Sequence, residues 1–112
     1  ATKRLRLHWN TFITRGDFQW LASVGLNAVR LPVGHWLFGK NYPYHPAYGD
    51  SRYPYVEGGL AIVDQVMQWA EEFEIALILD LHAAPGCQNG FDNGGIMDVC
   101  EWHTRQEYID HT

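Results

Sequence analysis

The sequence predicts an α/β fold with parallel strands, and three observations support this. Two largely apolar segments, residues 27–33 and 75–81, are typical of strands buried in a parallel sheet. The segments that precede them, residues 14–24 and 57–73, have apolar residues at helical spacing. The order helix, strand, helix, strand corresponds to a βαβ unit, in which the crossover is expected to be right-handed.

The first predicted helix, residues 14–24, has recognisable ends. Thr14 is placed to cap it, and Asp17 three positions later makes a pattern close to a capping box. Gly25 follows the helix in the usual C-terminal position. The apolar stripe consists of Phe18, Leu21 and Ala22. Residues 2–9 are typical of the end of an earlier helix.

The second predicted helix, residues 57–73, has an apolar stripe that is expected to face the core. Its members are Leu60, Val63, Met67 and Ala70. Met67 and Trp69 are interpreted as packing residues. Thr104 with Glu107 three positions later forms a second capping-box pattern, which predicts the start of a third helix.

Alternation along the strands predicts which polar side chains share a face. In the second strand, Asp80 and His82 project to the same side, where the strand ends. Because α/β proteins place their sites at the carboxyl ends of strands, we expect Arg30, Asp80 and His82 to converge there. An arginine in an apolar strand needs a partner, so Arg30 is predicted to pair with Asp80 and, compatibly, to act as a fixed cation at the rim of a site.

Residues 34–55 form a long predicted loop rich in aromatic side chains. It contains Trp36 and Phe38, and most of the six Tyr lie between residues 42 and 55. Ordered loops of this length inside a domain are usually functional. Two hypotheses remain open: the rings tether the loop by packing on one another, or they form a surface on which pyranose rings stack.

The two cysteines, Cys87 and Cys100, both follow the second strand and lie close enough in sequence to form a local bridge. Two cysteines alone do not define a disulfide framework. A metal site built from His82, Cys87, Cys100 and His103 is the weaker hypothesis, because the sequence has no Cys-x-x-Cys spacing. We therefore predict no metal and no other cofactor.

Composition argues against several classes of function. The net charge is −5, which disfavours a nucleic-acid or anionic-membrane surface. No apolar run approaches the roughly 18 residues that a membrane span needs, and residues 1–6 are not followed by the apolar segment of a signal peptide. The apolar content of 46% is typical of a globular chain.

Four segments of the chain resemble the exo-β-1,3-glucanase branch of glycoside hydrolase family 5. They are HWNTFIT followed by DF, GLNAVRLPVGHW, PYVEGG and LDLHAAPGCQNGFDNGG. The resemblance runs from about residue 7 to residue 112, and the last segment is long and highly specific. It implies a (β/α)₈ TIM barrel, of which this chain would form roughly the second and third βα units, and hydrolysis of β-glucosidic bonds with retention of configuration.

The resemblance also implies roles for individual residues. Arg30 matches the arginine beside the nucleophile, and His82 matches the histidine that contacts the sugar where the bond is cut. Phe91 and Asn93 match loop residues at the entrance and floor of that subsite. Trp36 is a further candidate for substrate binding. We predict a Cys87–Cys100 disulfide, which would be local to this subgroup because Cys87 stands where many relatives carry serine. Such a bridge would favour a secreted location.

The two catalytic glutamates of the family have no counterpart in this sequence. Retaining hydrolysis needs two carboxyl groups about 5–5.5 Å apart. In the family one Glu follows an Asn at the end of the fourth strand and the other ends the seventh strand, and no Asn-Glu-Pro occurs here. We therefore predict a glycosidase chain with substrate-binding residues but no catalytic residue, unless copies or a second chain supply carboxylates. The alternative is a carbohydrate-binding module without chemistry.

The expected partners are a β-glucan or oligosaccharide and further protein. A barrel of this type needs about 250 residues, and two strands leave unpaired edges that recruit other strands. We therefore expect the chain either to form a homo-oligomer or to fold beside the remainder of its parent barrel.

Overall fold

The fold is a βαβ arrangement with additional helices before and after it. The computed structural model describes residues 2–38, 55–95 and 97–112. The helices and strands are, in chain order, α1 (Thr2–Thr11), α2 (Arg15–Ser23), β1 (Ala28–Gly34), α3 (Gly59–Glu72), β2 (Ala76–Ala83) and α4 (Gln106–Ile109). Short 3₁₀ turns lie at His35–Phe38, Asp92–Gly94 and Trp102–Thr104. Four residues of the predicted tyrosine cluster lie outside the described residues: Tyr42, Tyr44, Tyr48 and Tyr53.

Strands β1 and β2 are hydrogen-bonded neighbours in a two-stranded sheet. The amide of Ala76, at the start of β2, donates to the carbonyl of Asn27, which directly precedes β1, at 2.8 Å. Because this bond joins the N-terminal ends of both strands, the strands are parallel, and α3 lies in the connection between them. The predicted parallel α/β arrangement is therefore confirmed.

The chain divides into two units. The first comprises Ala1–Leu31 and Gly58–Leu79, and the second comprises Pro32–Glu57 and Asp80–Thr112. The first unit contains α1, α2, α3 and the beginnings of both strands, whereas the second contains the strand ends, the loops that follow them and α4. None of the helices described in either unit is long and apolar enough to cross a membrane.

The core of the first unit is formed by the strands together with α2 and α3. The buried side chains are Phe18, Val66, Ala70 and Ile75. Val29, Leu31 and Leu77 pack against them from the strands, as the alternation of β1 predicts. Phe18 also contacts Trp69, with ring centroids 6.1 Å apart. The packing role predicted for Trp69 is therefore confirmed.

Helix α2 begins and ends as the sequence predicts. The Asp17 carboxylate accepts hydrogen bonds from the backbone amide and the hydroxyl of Thr14, both at 2.7 Å. Gly25 follows the helix with φ +84°, a conformation that glycine adopts without steric strain. Arg15, the first helical residue, pairs with Glu72 at the end of α3. Both side chains are well exposed, so this ion pair contributes little to stability.

The buried face of α3 differs from the predicted one. Val63 and Ala70 are buried as expected, but Leu60 and Met67 are exposed, and Val66 is buried instead. Positions 63, 66 and 70 are three and four residues apart and therefore share one helix face. The packing role predicted for Met67 is wrong because α3 carries apolar residues on more than one face, so that periodicity alone does not set its rotation.

The apolar sequence of β2 predicts a strand that is buried on both faces, but the structure does not bury it in this way. Leu77 packs on the core, but the side chains of Ile78 and Leu79 are 57% and 47% exposed. In the part of the chain that the structure describes, the sheet has two strands, and its core residues pack with the helices on one face. The prediction was wrong because an apolar sequence shows that the side chains of a strand are suited to burial. It does not show whether another layer of structure covers them.

Helix α4 begins later than the predicted third helix. Thr104 belongs to the preceding 3₁₀ turn, and its hydroxyl donates to the carbonyl of Glu101 at 2.8 Å. Arg105 therefore takes the N-cap position. The predicted capping box with Glu107 is not formed, because the Thr104 hydroxyl is engaged within the turn. Tyr108, in the middle of α4, is completely buried.

Candidate functional site

The end of β2 presents two polar side chains on one face of the strand. The Nδ1 atom of His82 lies 3.0 Å from a carboxylate oxygen of Asp80. The two residues are two positions apart and therefore project from the same face, as the sequence predicts. The His82 side chain is 48% exposed. The carboxylate thus orients an imidazole that a ligand can reach.

The loop that follows β2 is held by its own side chains. The Gln88 amide accepts a hydrogen bond from the amide of Ala84 at 3.1 Å and donates to the carbonyl of His82 at 2.6 Å. The side-chain oxygen of Asn89 accepts from the amide of Phe91 at 3.1 Å, a local turn that asparagine favours. These bonds fix the chain from the end of β2 to Phe91.

Phe91 and Asn93 have different environments in this loop. The Phe91 side chain is 63% exposed, whereas Asn93 is half-buried within the turn Asp92–Gly94. The carbonyl of Asp92 accepts a hydrogen bond from the amide of Gly95 at 2.8 Å. Asp92 therefore organises the turn through its backbone, and the loop presents Phe91 as an accessible aromatic ring.

An aromatic stack lies in the second unit near the end of β1. The rings of Trp36 and Tyr55 have centroids 4.0 Å apart and planes 8° apart. The Tyr55 hydroxyl donates to the carbonyl of Gly94 at 2.9 Å. Tyr55, the last residue of the predicted loop, is therefore held by Trp36 and by the carbonyl of Gly94; the other tyrosines of the hypothesis lie outside the described residues. Sugar binding by Trp36 stays a prediction.

His35 is a buried histidine in the turn that follows β1. Its side chain is 2% exposed. It contacts three rings, those of Trp36, Tyr55 and His111, at centroid distances of 5.2, 5.6 and 6.0 Å. Burial, with a smaller contribution from the neighbouring His111, lowers the pKa of His35 from 6.5 to about 4. The His35 imidazole is therefore neutral at pH 7.

We expect the free energy of unfolding to fall as the pH is lowered from about 6.5 to about 4. In the unfolded chain His35 takes up a proton near its ordinary pKa of 6.5, whereas the native chain does so only near pH 4. The unfolded state therefore binds more protons in this window, and stability that is fully present above pH 6.5 is lost toward pH 4. The loss is about 3 kcal/mol, from the free-energy equivalent of a pKa difference. Urea unfolding at several pH values measures it.

Two variants separate this effect from other titrations. His35→Phe should make the stability less dependent on pH between 6.5 and 4, because the buried titrating group is removed. His103→Gln replaces an exposed histidine of the same unit and should leave the dependence unchanged. The same pH profile in the wild-type and His35→Phe chains would contradict the assignment.

The predicted bridge between Cys87 and Cys100 is not formed in the structure. Both are free thiols, with Cys87 buried and Cys100 exposed. The Cys87 thiol donates to the carbonyl of Phe91 at 3.3 Å, and the Cys100 thiol donates to the carbonyl of Gln88 at 3.4 Å. Each sulfur has its own partner, so hydrogen bonds, and not a disulfide, connect this loop.

Arg30 lies in the first unit, whereas Asp80 and His82 lie in the second. It is an exposed residue of β1 and also borders an apolar cavity of about 330 Å³. The cavity is lined by residues of α1, α2, α3 and β1, including His8, Phe12, Phe18, Leu31 and Val66. The convergence of Arg30 with Asp80 and His82, and the ion pair between Arg30 and Asp80, stay predictions.

The alternative of a metal site is not supported by side-chain placement. Within residues 2–38, 55–95 and 97–112, no three His, Cys, Asp or Glu side chains come together in a group that could hold a metal ion. His82, Cys87, Cys100 and His103 therefore form no such group.

Sequence reasoning missed two side chains of this region, Gln88 and His35. A glutamine is an unusual choice in a loop of Gly, Pro and Asn, and its place in the loop that follows β2 was the available signal. For His35 the signal was a histidine between a strand end and Trp36. Neither signal shows which groups the side chain contacts, because Gln88 folds back on the end of β2 and His35 meets Tyr55 and His111, which are distant in sequence.

The fold and the strand-end site define an α/β protein with a polar site at the carboxyl end of a parallel sheet. The chain matches the family described as Cellulase (glycosyl hydrolase family 5) over residues 1–111. The chain therefore belongs to glycosyl hydrolase family 5, and the resemblance found in its sequence motifs is confirmed.

Several fungal proteins are similar in sequence. The chain is 42% identical over 102 residues to Glucan 1,3-beta-glucosidase 2 of Wickerhamomyces anomalus, covering 91% of this chain and 22% of that protein. It is 41% identical over 112 residues to Glucan 1,3-beta-glucosidase of Pichia angusta, covering 100% of this chain and 24% of that protein. Probable glucan 1,3-beta-glucosidase A of Emericella nidulans is 45% identical over 102 residues, with 91% and 23% covered. The chain thus spans less than a quarter of the length of these relatives.

A solved structure shares the fold. The crystal structure of rutinosidase from Aspergillus niger matches with a TM-score of 0.78 and 22% sequence identity. The match covers 96% of this chain and 28% of that one. The α/β arrangement described here is therefore part of a larger fold in that enzyme.

Proposed function

We propose that this chain provides substrate-binding residues of a glycoside hydrolase that cleaves β-glucosidic bonds of glucans. Membership of family 5 and the names of the similar fungal proteins support a β-1,3-glucan as the substrate. We further propose that the βαβ arrangement forms the second and third βα units of a (β/α)₈ barrel. The observation that carries the proposal is the Asp80–His82 pair at the end of β2.

The side chains of the second unit have the chemistry that a sugar requires. The imidazole of His82 is held by the carboxylate of Asp80 and can therefore hydrogen-bond to sugar hydroxyls in a defined direction. The exposed ring of Phe91 offers an apolar face to a pyranose ring, and the Asn93 amide supplies a donor and an acceptor. Trp36 is proposed as a second aromatic contact. Arg30 is proposed, from the family resemblance, as the cation beside the nucleophile.

The proposal assigns no catalytic role to the 112 residues. Retaining hydrolysis needs a general acid and a nucleophile about 5–5.5 Å apart. At the end of β2 the candidate carboxylate is Asp80, and it is engaged with His82. A carbohydrate-binding module without chemistry is therefore the second candidate function. It would use the same contacts but release no product.

Replacing His82 by alanine should weaken oligosaccharide binding about tenfold, the equivalent of one net hydrogen bond. Laminaritriose, a trisaccharide of β-1,3-linked glucose, is the probe, and titration calorimetry on the 112-residue chain is the measurement. His103→Ala removes an exposed histidine of the same unit and should leave the affinity unchanged. No binding by the wild-type chain, or equal binding by His82→Ala, would overturn the proposal.

A turnover assay on the same samples distinguishes the two candidate functions. We expect bound laminaritriose to stay intact, because no carboxyl pair is assigned within the chain. Release of glucose at rates normal for an enzyme, abolished by Asp80→Asn, would show that this chain carries its own catalytic group.

We also expect the isolated chain to self-associate. The exposed side chains of Ile78 and Leu79 present apolar surface in the sheet, and such surface is rarely left open in stable monomers. A second copy or the remainder of the parent barrel would cover it. Sedimentation velocity on the purified chain should show a species larger than the 12.9 kDa monomer; a folded, monodisperse monomer would contradict this expectation.

A further inference from the structure

We propose that Gln88 is a positioning residue whose side-chain amide fixes the end of β2 and thereby presents His82 to the glucan. This inference rests on the proposed function. The Gln88 Nε2 atom donates to the carbonyl of His82 at 2.6 Å, and its Oε1 atom accepts from the amide of Ala84 at 3.1 Å. One side chain therefore binds the backbone on both sides of the last strand residue.

The two bonded backbone groups flank Ala83, where β2 ends. Ala84 is buried, so its backbone amide needs a hydrogen-bond partner within the protein, and Gln88 supplies it. The Gln88 amide offers one donor and one acceptor, as a peptide group of a neighbouring strand would. It therefore fixes the backbone from His82 to Ala84, and with it the direction in which the His82 side chain leaves the strand.

The side chain of Gln88 thus bridges the carbonyl of His82 and the amide of Ala84. The backbone around Gln88 is itself hydrogen-bonded to a second segment of the chain. The carbonyl of Gln88 accepts a hydrogen bond from the thiol of Cys100 at 3.4 Å. Two residues earlier, the carbonyl of Gly86 accepts from the amide of Glu101 at 2.8 Å. The chain around Gln88 is thus paired with residues 100 and 101, so that the amide is anchored and does not simply follow movements of β2.

The bridge needs the particular chemistry of an amide. A glutamate has nearly the same shape, but it lacks the donor and would place a carboxylate oxygen against the His82 carbonyl. Gln88→Glu therefore breaks the bridge with little change in volume. Gln88→Met removes both polar groups without adding charge, and serves as a second variant. Gln65→Glu introduces the same charge on an exposed face of α3 and is the matched control.

The first test measures laminaritriose affinity for the 112-residue chain by titration calorimetry. We expect Gln88→Glu and Gln88→Met to weaken binding about 3- to 10-fold, no more than His82→Ala and equivalent to about one hydrogen bond, and Gln65→Glu to have no effect. If Gln88 acts through His82, the double variant Gln88→Glu/His82→Ala will bind no more weakly than His82→Ala alone. Wild-type affinity in both Gln88 variants, or losses that simply add in the double variant, would overturn the proposal.

The second test needs no sugar and uses two-dimensional NMR spectra of the same chains. The imidazole signals of His82 and the amide signal of Ala84 should move in the Gln88 variants, and the Ala84 amide should exchange faster with solvent. Both should be unchanged in Gln65→Glu. If the wild-type chain binds no laminaritriose, the proposed function fails. The NMR signals alone then test whether Gln88 positions His82, and unchanged signals in both Gln88 variants would overturn that role.

Discussion

Replacing Gly86 by alanine should lower the free energy of unfolding by about 2–5 kcal/mol, the sum of left-handed backbone strain and overpacking. Gly86 has φ +69°, a conformation that side chains with a Cβ atom rarely adopt. A Cβ atom at this position would also lie 2.5 Å from the ring of Tyr108. Tyr108 is completely buried, so its ring has no space to withdraw. Urea unfolding followed by circular dichroism measures the loss.

A second glycine of the same loop provides the control. Gly90 has φ +77°, but the atoms nearest to an added Cβ would lie 3.9 Å away, which is ordinary contact. Gly90→Ala should therefore show backbone strain alone, about 1–2 kcal/mol. Equal losses in the two variants would show that the contact with Tyr108 is not tight, and a wild-type stability for Gly86→Ala would contradict the packing of this loop on α4.

Replacing Phe18 by alanine should cost about 3–5 kcal/mol, the usual range for removing a buried phenylalanine. Phe18 is 2% exposed and lies at the centre of the first unit with Val66, Ala70 and Ile75. Its removal leaves a cavity between α2, α3 and the strands, and the surrounding groups can fill it only in part. The measurement is again the free energy of unfolding in urea.

Phe12 is the matched control for Phe18, since the two differ in burial and not in size. The Phe12 side chain is 68% exposed and stacks on His8 at the end of α1. Phe12→Ala should therefore change stability by no more than about 0.5 kcal/mol, as surface substitutions do. A large loss for Phe12→Ala together with a small one for Phe18→Ala would invert the assignment of the core.

Features set by neighbouring residues were predictable from the sequence. The Thr14–Asp17 cap and the left-handed Gly25 depend on spacings of three residues and one, which the sequence shows directly. The alternation that puts Val29 and Leu31 on the core is equally local. The parallel pairing followed from the order of elements, because a helix between two apolar strands permits few other arrangements.

Features set by distant residues were not predictable. The burial of Val66 in place of Met67 depends on how α3 rotates against the strands, and the exposure of Ile78 depends on what covers the sheet. The expected disulfide failed for a similar reason. Sequence separation says that Cys87 and Cys100 can meet, but their thiols point to different carbonyl groups.

In the candidate site, too, features set by neighbouring residues were predictable and features set by distant residues were not. Alternation within one strand predicted that Asp80 and His82 share a face, and their side chains lie 3.0 Å apart; the hydrogen bond between them was not predicted. The Gln88 bridge was not foreseen, because it depends on how a loop folds back on the strand that precedes it. Roles in sugar binding stay predictions for Arg30, His82, Phe91 and Asn93, which come from the family resemblance, and for Trp36, which comes from the aromatic character of its loop.

The most direct test of the proposed glucan site is a titration of the isotope-labelled 112-residue chain with laminaritriose, followed through its backbone amide signals. Binding at the end of β2 predicts that the largest shifts occur between His82 and Asn93, with a further shift at Trp36, and that they saturate together at one affinity. Shifts confined to α1, α2 and the cavity of the first unit, or no shifts at millimolar sugar, would contradict the assignment of a glucan site to this chain.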